Sequence, residues 1–346
     1  MASIVLDSGI LVEDYKEPYI IAEVNSSHGG DLNEAREMIK IAKEVGANCV
    51  KFQSFSVESL YSKSYYEKNK IQKRIVEKFS LNAKSLLEMA HYAREIGIDF
   101  SSTPYAENEV DSLCDMQVPF IKIASMEINN LPFLRYIAKK QKPMILSTGM
   151  AELSEIQRAV SAIESVGNSK IIILHCNSTY PTKIENINLN NIFKLREIFT
   201  QYPIGFSDHT LDDSAAIVAT ALGAAVIEKH FTLDKSKVGM DNNMAMQPLE
   251  FESMVRKCKD AFRALGSKER ILSKEELAQR VKMRRSVVAK IDLKKGTRLN
   301  LEMLSAKRPG EGIPPCDMES LVGKVLKVDK GADCVIMPDE VENLNV

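Results

Sequence analysis

Lys51 and Lys122 stand where lysines are rare, each inside a short apolar run: Cys-Val-Lys-Phe-Gln at 49–53 and Phe-Ile-Lys-Ile-Ala-Ser at 120–125. A buried ammonium without an anionic partner is costly, so each lysine implies a negative group. A Lys–Glu pair would satisfy it, with Glu23, Glu127 or Glu228 as mate. A small bound anion would satisfy it too. The hydroxyls tilt the balance: Thr103, Ser125, Ser178 and Ser207 lie in or just after similar runs. Two cations with four hydroxyl donors suit a phosphate and a carboxylate. Four of the five histidines, His28, His175, His209 and His230, also lie at or just past such runs. His209 and His230 belong to neighbouring runs, with Glu228 and Asp241 near in sequence. Two imidazoles so placed can share one divalent ion. Two hydrogen-bonded core histidines are the plainer alternative. His91 falls in a helical stretch and reads as solvated surface.

The elements that position these residues repeat one rhythm. Short β-branched runs occur at 19–24, 49–53, 99–103, 120–125, 144–148, 170–176, 204–208 and 226–231. Amphipathic helical stretches separate them, as at 31–45, 153–166 and 213–222. From Glu23 to His230 there are 207 residues over seven steps, or about 30 per step, the size of one βα unit. Eight such units predict a closed parallel barrel, with its active residues at the C-terminal strand ends. That rule gathers Glu23, Gln53, Glu127 and Tyr180 around the lysines, and turns His175 into the barrel wall. The segment 55–80 interrupts the rhythm and reads as a lid or binding loop. The segment 267–285 carries seven Lys/Arg against three Glu and reads as an exposed linker helix. Pro and Gly punctuation beyond it suggests a small domain at 286–346. The expected division is a catalytic barrel at 1–266, a linker at 267–285 and the small domain at 286–346.

Composition narrows the partners. The 346 residues carry 46 Lys/Arg and 47 Asp/Glu, a net charge of −1, and 45% are hydrophobic. The chain is globular, and no net positive charge drives it to nucleic acid or anionic membrane. Six scattered cysteines form no CxxC pair, which argues against a disulfide framework or zinc cage. No leader pattern or membrane-length apolar stretch is evident, so a cytoplasmic enzyme is expected. Dinucleotide, Walker, zinc-protease and nucleophile-elbow signatures are absent from the sequence.

Several runs, taken in order, carry a resemblance: Ile21-Ala22-Glu23, Lys51-Phe52-Gln53, Ser102-Thr103-Pro104, Ile145 to Met150, Tyr180-Pro181-Thr182, Gly205 to Thr210, Ile227 to Thr232, and Lys307-Arg308-Pro309-Gly310. The chain resembles the sialic acid (N-acetylneuraminate) synthase family over nearly its whole length. The resemblance implies a TIM (β/α)8 barrel followed by a small antifreeze-like (SAF, β-clip type) domain. It implies a transferase that condenses phosphoenolpyruvate with an open-chain N-acylated mannose-type sugar. The products are a nine-carbon sugar acid and phosphate, released by C–O cleavage. It further implies Mn²⁺ or Mg²⁺ on His209 and His230. Lys51, Thr103, Lys122, Ser125, Ser178 and Ser207 would hold phosphoenolpyruvate, and Glu23 would act as a base. Gln53, Glu127, Tyr180 and Asp241 would face the sugar. Arg308 would enter the barrel of a partner subunit in a domain-swapped homodimer.

Three departures mark this chain. Ser27 stands where Asn is common, Gly239 to Asn243 replace a Gly-Pro-Asp-His version, and Ala124 replaces a glycine. The first two leave the sugar open between N-acetylmannosamine and the 6-deoxy diacetamido precursors of legionaminic or pseudaminic acid. Other readings are condensation with a phosphorylated aldose, a class I aldolase using Lys122, and a non-catalytic carbohydrate- or ice-binding protein.

Overall fold

In a computed structural model, which describes residues 1–342, all eight apolar runs form strands. A short antiparallel hairpin comes first, β1 (Ser3–Val5) with β2 (Leu11–Glu13). The eight parallel strands are β3 (Tyr19–Glu23), β4 (Cys49–Ser54), β5 (Asp99–Pro104), β6 (Ile121–Ile123), β7 (Met144–Ser147), β8 (Ile171–Cys176), β9 (Ile204–Asp208) and β10 (Val226–His230). Their order is β5-β4-β3-β10-β9-β8-β7-β6. The two end strands lie against each other without a ladder. At that seam the Ser101 hydroxyl donates to the Phe120 carbonyl at 2.7 Å. The result is a TIM-like near-barrel.

Both faces of this sheet are buried, which is why its strands read as almost continuous apolar runs. Alternation splits their side chains between two environments. Val50 and Phe52 of β4 join the cluster under the surrounding helices. Cys49, one residue earlier, joins an inner cluster with Tyr19, Ile21, Phe120, Ile145, Ile172, Leu174 and Val226. Ile4, Leu6 and Val12 from the hairpin complete that inner cluster. The hairpin thus plugs the N-terminal end of the barrel, each buried aliphatic chain contributing about 1.5–3 kcal/mol.

The helices have local causes as well. Asp31 caps the helix Leu32–Glu44 by accepting from Asn33 N at 2.7 Å, which satisfies one of the helix's open donors. That helix buries Ala35, Met38, Ile39 and Ala42 along one stripe. Gly97, at φ 75°, ends the helix Ala83–Ile96 in the left-handed conformation that glycine adopts without strain. The interruption after β4 forms three short helices, Val57–Leu60, Lys63–Lys68 and Lys70–Phe79. Phe55, Tyr66, Val76 and Phe79 give it a small core of its own, packed against Tyr105 and Met240.

The chain divides into two compact units, Met1–Gly266 and Ser267–Val346. The last four residues of the expected small domain lie outside the described residues. In the second unit the basic segment supplies an exposed helix, Lys274–Met283. Strands β11 (Ser286–Ala289) and β12 (Leu304–Lys307) then pair antiparallel. Val287, Leu299, Ile313, Leu321, Leu326 and Ile336 form that unit's core. Among the described residues no helix is long and apolar enough to cross a membrane.

Candidate active site

Strand register brings the polar residues together. Glu23 pairs with Lys51 on one side and with His230 on the other. Ser207 lies between Cys176 and Glu228. These side chains line a cavity of about 640 Å³ at the C-terminal strand ends, which also takes in Gln53, Thr103, Lys122, Ser125, Ser178, Tyr180, His209 and Asp241.

Its floor is a buried charge network. Lys51 forms an ion pair with Glu23 and lies 3.7 Å from Glu228. It also donates to the Thr103 hydroxyl at 3.3 Å. Lys122 lies 3.7 Å from the other oxygen of Glu228 and donates to Ser147 Oγ at 2.7 Å. Ser207 donates to Glu228 at 2.9 Å. Burial pushes the Glu228 carboxyl up, but Lys122 and Lys51 together hold it below its ordinary value. Glu23 goes the other way: burial raises it, Lys51 opposes, and the neighbouring Glu228 adds to the rise. Burial lowers Lys122 against the pull of Glu228. Burial also works against Lys51, but Glu228 and Glu23 outweigh it and carry that ammonium above the usual lysine range. Two carboxylates and two ammonium groups thus face one another inside the protein.

Beside the lysines is a small cradle. Gly149 N donates to Ser125 Oγ at 3.0 Å. A Cβ at Gly149 would run into Ser178 Oγ and crowd Ser125 Oγ, so only glycine leaves the space between the two hydroxyls open. Ser178 Oγ is buried and has no hydrogen-bond partner. An orphaned polar atom of this kind costs roughly 1–3 kcal/mol, and an anion oxygen seated in the cradle would relieve it.

The two histidines close the upper part. Their ring centroids are 5.2 Å apart. His209 Nδ1 lies 2.6 Å from the Asn177 carbonyl. A carbonyl only accepts, so Nδ1 carries a proton. Burial pulls His209 down, yet the Cys176 thiol and the Asn177 carbonyl carry it above the ordinary imidazole value. Burial, then the positive charge of His209 and the lysines, hold His230 well below that value, so it stands neutral. Among the described residues no group of three or more His, Cys, Asp or Glu converges on a metal position. The donor set that fits a divalent ion is this imidazole pair, with the rest of the shell left to water and substrate.

Gln53 donates to Glu23 at 3.0 Å and accepts from Tyr105 OH at 3.0 Å. Tyr180 packs over His209, with centroids 4.3 Å apart. Asp241 accepts from Asn25, a buried residue in the left-handed region at φ 48°. Glu127 does not line the cavity; it sits on the turn Ser125–Glu127 and accepts from Asn130 Nδ2 at 2.7 Å. Arg308 belongs to the second unit and is exposed there. His175 faces outward, as expected, and donates to the Ile187 carbonyl at 2.6 Å. Sequence reasoning gave no role to Ser147, Cys176, Asn25 and Tyr105, which line the cavity. For the first two a signal was present, since each stands at the inward parity of its strand.

Lysines, carboxylates and imidazoles converging at the strand ends of an eight-stranded barrel define a barrel enzyme. Residues 38–270 match the NeuB family and residues 284–342 match the SAF domain, and the chain belongs to the NeuB family. It is 39% identical to the N,N'-diacetyllegionaminic acid synthase of Legionella pneumophila, over 94% of each chain. Against the human N-acetylneuraminate-9-phosphate synthase it is 37% identical, over 94% of this chain and 93% of that one. The pseudaminic acid synthase of Helicobacter pylori is 35% identical, over 94% and 98%. The crystal structure of the N-acetylneuraminic acid synthetase of Leptospira borgpetersenii, in complex with citrate, superposes with a TM-score of 0.73 at 32% identity. It covers 80% of this chain and 94% of its own. The named relatives are nonulosonic acid synthases acting in three sugar-acid series.

Proposed function

We propose that this chain condenses phosphoenolpyruvate with the open-chain form of an N-acylated mannose-type sugar. The observation that carries this reading is the pair of buried lysines beside the open Ser125–Gly149–Ser178 cradle. Such a floor suits one small molecule bearing both a phosphate and a carboxylate. Lys51, Lys122, Thr103, Ser125, Ser178 and Ser207 hold that molecule with its methylene carbon toward the histidines. His209 and His230 would hold Mn²⁺ or Mg²⁺, which when bound supplies Lewis-acid polarisation of the sugar aldehyde oxygen. The methylene carbon attacks the aldehyde carbon: the enol C=C pair forms the new carbon–carbon bond, and the aldehyde C=O pair moves onto its oxygen, which ends as a hydroxyl with the proton that Glu23 takes from water in the next step. The cation left at C2 takes a water molecule, whose proton passes to Glu23. Burial has raised the affinity of this carboxylate for a proton. The bond between C2 and the phosphate oxygen then breaks, leaving a 2-keto acid and inorganic phosphate. Gln53, Tyr180 and Asp241 orient the sugar hydroxyls, and Glu127 supports the turn behind Ser125.

Arg308, exposed on the second unit, would serve the cavity of a second copy in a homodimer. Six free thiols favour the reducing cytoplasm as the place of work. The test is phosphate release from phosphoenolpyruvate in the presence of N-acylated mannose-type sugars. EDTA should reduce it to background and Mn²⁺ should restore it. Release that is unchanged in EDTA would remove the metal from this account.

A further inference from the structure

We infer that Tyr105 is a positioning residue for the condensation: its hydroxyl fixes the Gln53 amide in the orientation that holds Glu23 ready to take a proton from water. This inference rests on the condensation proposed above and adds one residue to its machinery.

The strands set the arrangement. β5 ends at Pro104, and Tyr105 follows it at the same inward parity as Thr103. Register places Gln53 of β4 beside Thr103. Glu109, in the first turn of the helix Glu107–Asp115, accepts from Tyr105 N at 2.7 Å and from Ala106 N at 3.1 Å. The Tyr105 ring meets Phe55 edge-on, with centroids 6.4 Å apart, and packs against the small core of the segment 55–80. Backbone and ring are both held, so the hydroxyl is delivered to one place, 3.0 Å from Gln53 Oε1.

The amide then acts as a relay with a direction. Glu23 presents two oxygens: Oε2 pairs with Lys51, and Oε1 accepts from Gln53 Nε2 at 3.0 Å. Lys51 is shared with Thr103 and Glu228, which leaves Gln53 as the hold on the other oxygen. An amide can turn about its last bond and exchange oxygen for nitrogen. Turned, Gln53 would set its oxygen against Glu23, and two acceptors would face each other. A donor opposite the amide oxygen settles the choice. Burial, then the charge of Glu23, holds the Tyr105 phenol well above its ordinary value, so it keeps its proton and donates. Gln53 retains a second N–H for the sugar. The plainer role for Tyr105 is support of the segment 55–80 alone, and that role predicts a loss of stability rather than of turnover.

The test is a double-mutant cycle on phosphate release from phosphoenolpyruvate with a panel of N-acylated mannose-type sugars. Tyr105→Phe removes one oxygen and keeps the ring in its packing. It should lower kcat by about 10-fold to 100-fold, with the thermal midpoint little changed. KM for phosphoenolpyruvate should stay within about twofold, because the anion seat is untouched. In a Gln53→Met background no amide remains to be oriented, and adding Tyr105→Phe should then change kcat by less than about twofold. A Tyr105→Phe enzyme with normal kcat would overturn the inference. So would a full Tyr105→Phe effect that persists in the Gln53→Met background, since Tyr105 would then act without Gln53. Both results leave the condensation standing. Unsubstituted protein that releases no phosphate with any sugar of the panel would overturn the condensation, and this inference with it.

Discussion

Lys229 and Lys51 are both buried lysines held by carboxylates, yet they face opposite sides of the same barrel wall. Lys229 points outward. It pairs with Asp208 at 2.9 Å and donates to Thr210 Oγ1 and to the carbonyls of Thr210 and Asp212. Every donor it has is engaged, and nothing is left over for a ligand. Lys51 and Lys122 point inward, onto a cavity shared with Glu23 and Glu228. Glu228 is a loose contact for both, 3.7 Å from each lysine, while Lys51 pairs closely with Glu23 and Lys122 donates to Ser147. On β10 the sequence Glu228-Lys229-His230 puts both kinds side by side. A shift of one residue along a strand separates a group that holds the barrel together from one that faces its chemistry.

Substitution should break this contrast in opposite ways. Lys122→Met removes a cation from the anion seat, and phosphate release should fall by about 100-fold to 1,000-fold with the thermal midpoint little changed. A Lys122→Met enzyme with near-normal turnover would place the anion elsewhere. Lys229→Met leaves Asp208 buried without its cation, which should cost about 3–5 kcal/mol of stability in urea unfolding. The fraction that remains folded should keep a near-normal KM for phosphoenolpyruvate. Stability unchanged by that substitution would mean that Lys229 is not the structural member of the comparison.

A smaller effect separates the site from its supports through pH. Burial lowers His28 to about 4; it accepts from Gly30 N at 3.0 Å and lies beside Phe52. An imidazole depressed in the fold contributes full stability above its unfolded value. That contribution is lost as pH falls from about 6.5 toward 4, by roughly 3 kcal/mol. His28→Gln should flatten the loss over that interval in pH-dependent unfolding. An equally steep decline in the variant would assign the acid sensitivity to another group.

Much of the barrel was legible because its period is long and its strands are apolar on both faces. The strand-end rule then placed Glu23, Lys51, Lys122, His209 and His230 together, since each stands at the inward parity of its strand or immediately past its end. Other features were not legible, for physical reasons. The N-terminal hairpin has three-residue strands, too short to show a period, although it seals the barrel floor. The segment 55–80 reads as one loop but folds as three helices, because its small core depends on Tyr105 and Met240, distant in sequence. Glu127 was placed at the sugar by resemblance, yet a turn of the chain after β6 carries it away from the cavity lining. Asn25 was given no role because that role depends on a left-handed backbone and on Asp241, 216 residues away.

The most direct test of the central claim follows a single oxygen atom. Phosphoenolpyruvate labelled with ¹⁸O at the oxygen bridging C2 and phosphorus is incubated with the enzyme, Mn²⁺ and an N-acylated mannose-type sugar. The account predicts inorganic phosphate carrying the label, together with an unlabelled nine-carbon 2-keto acid. Unlabelled phosphate, or label retained in the sugar acid, would contradict it.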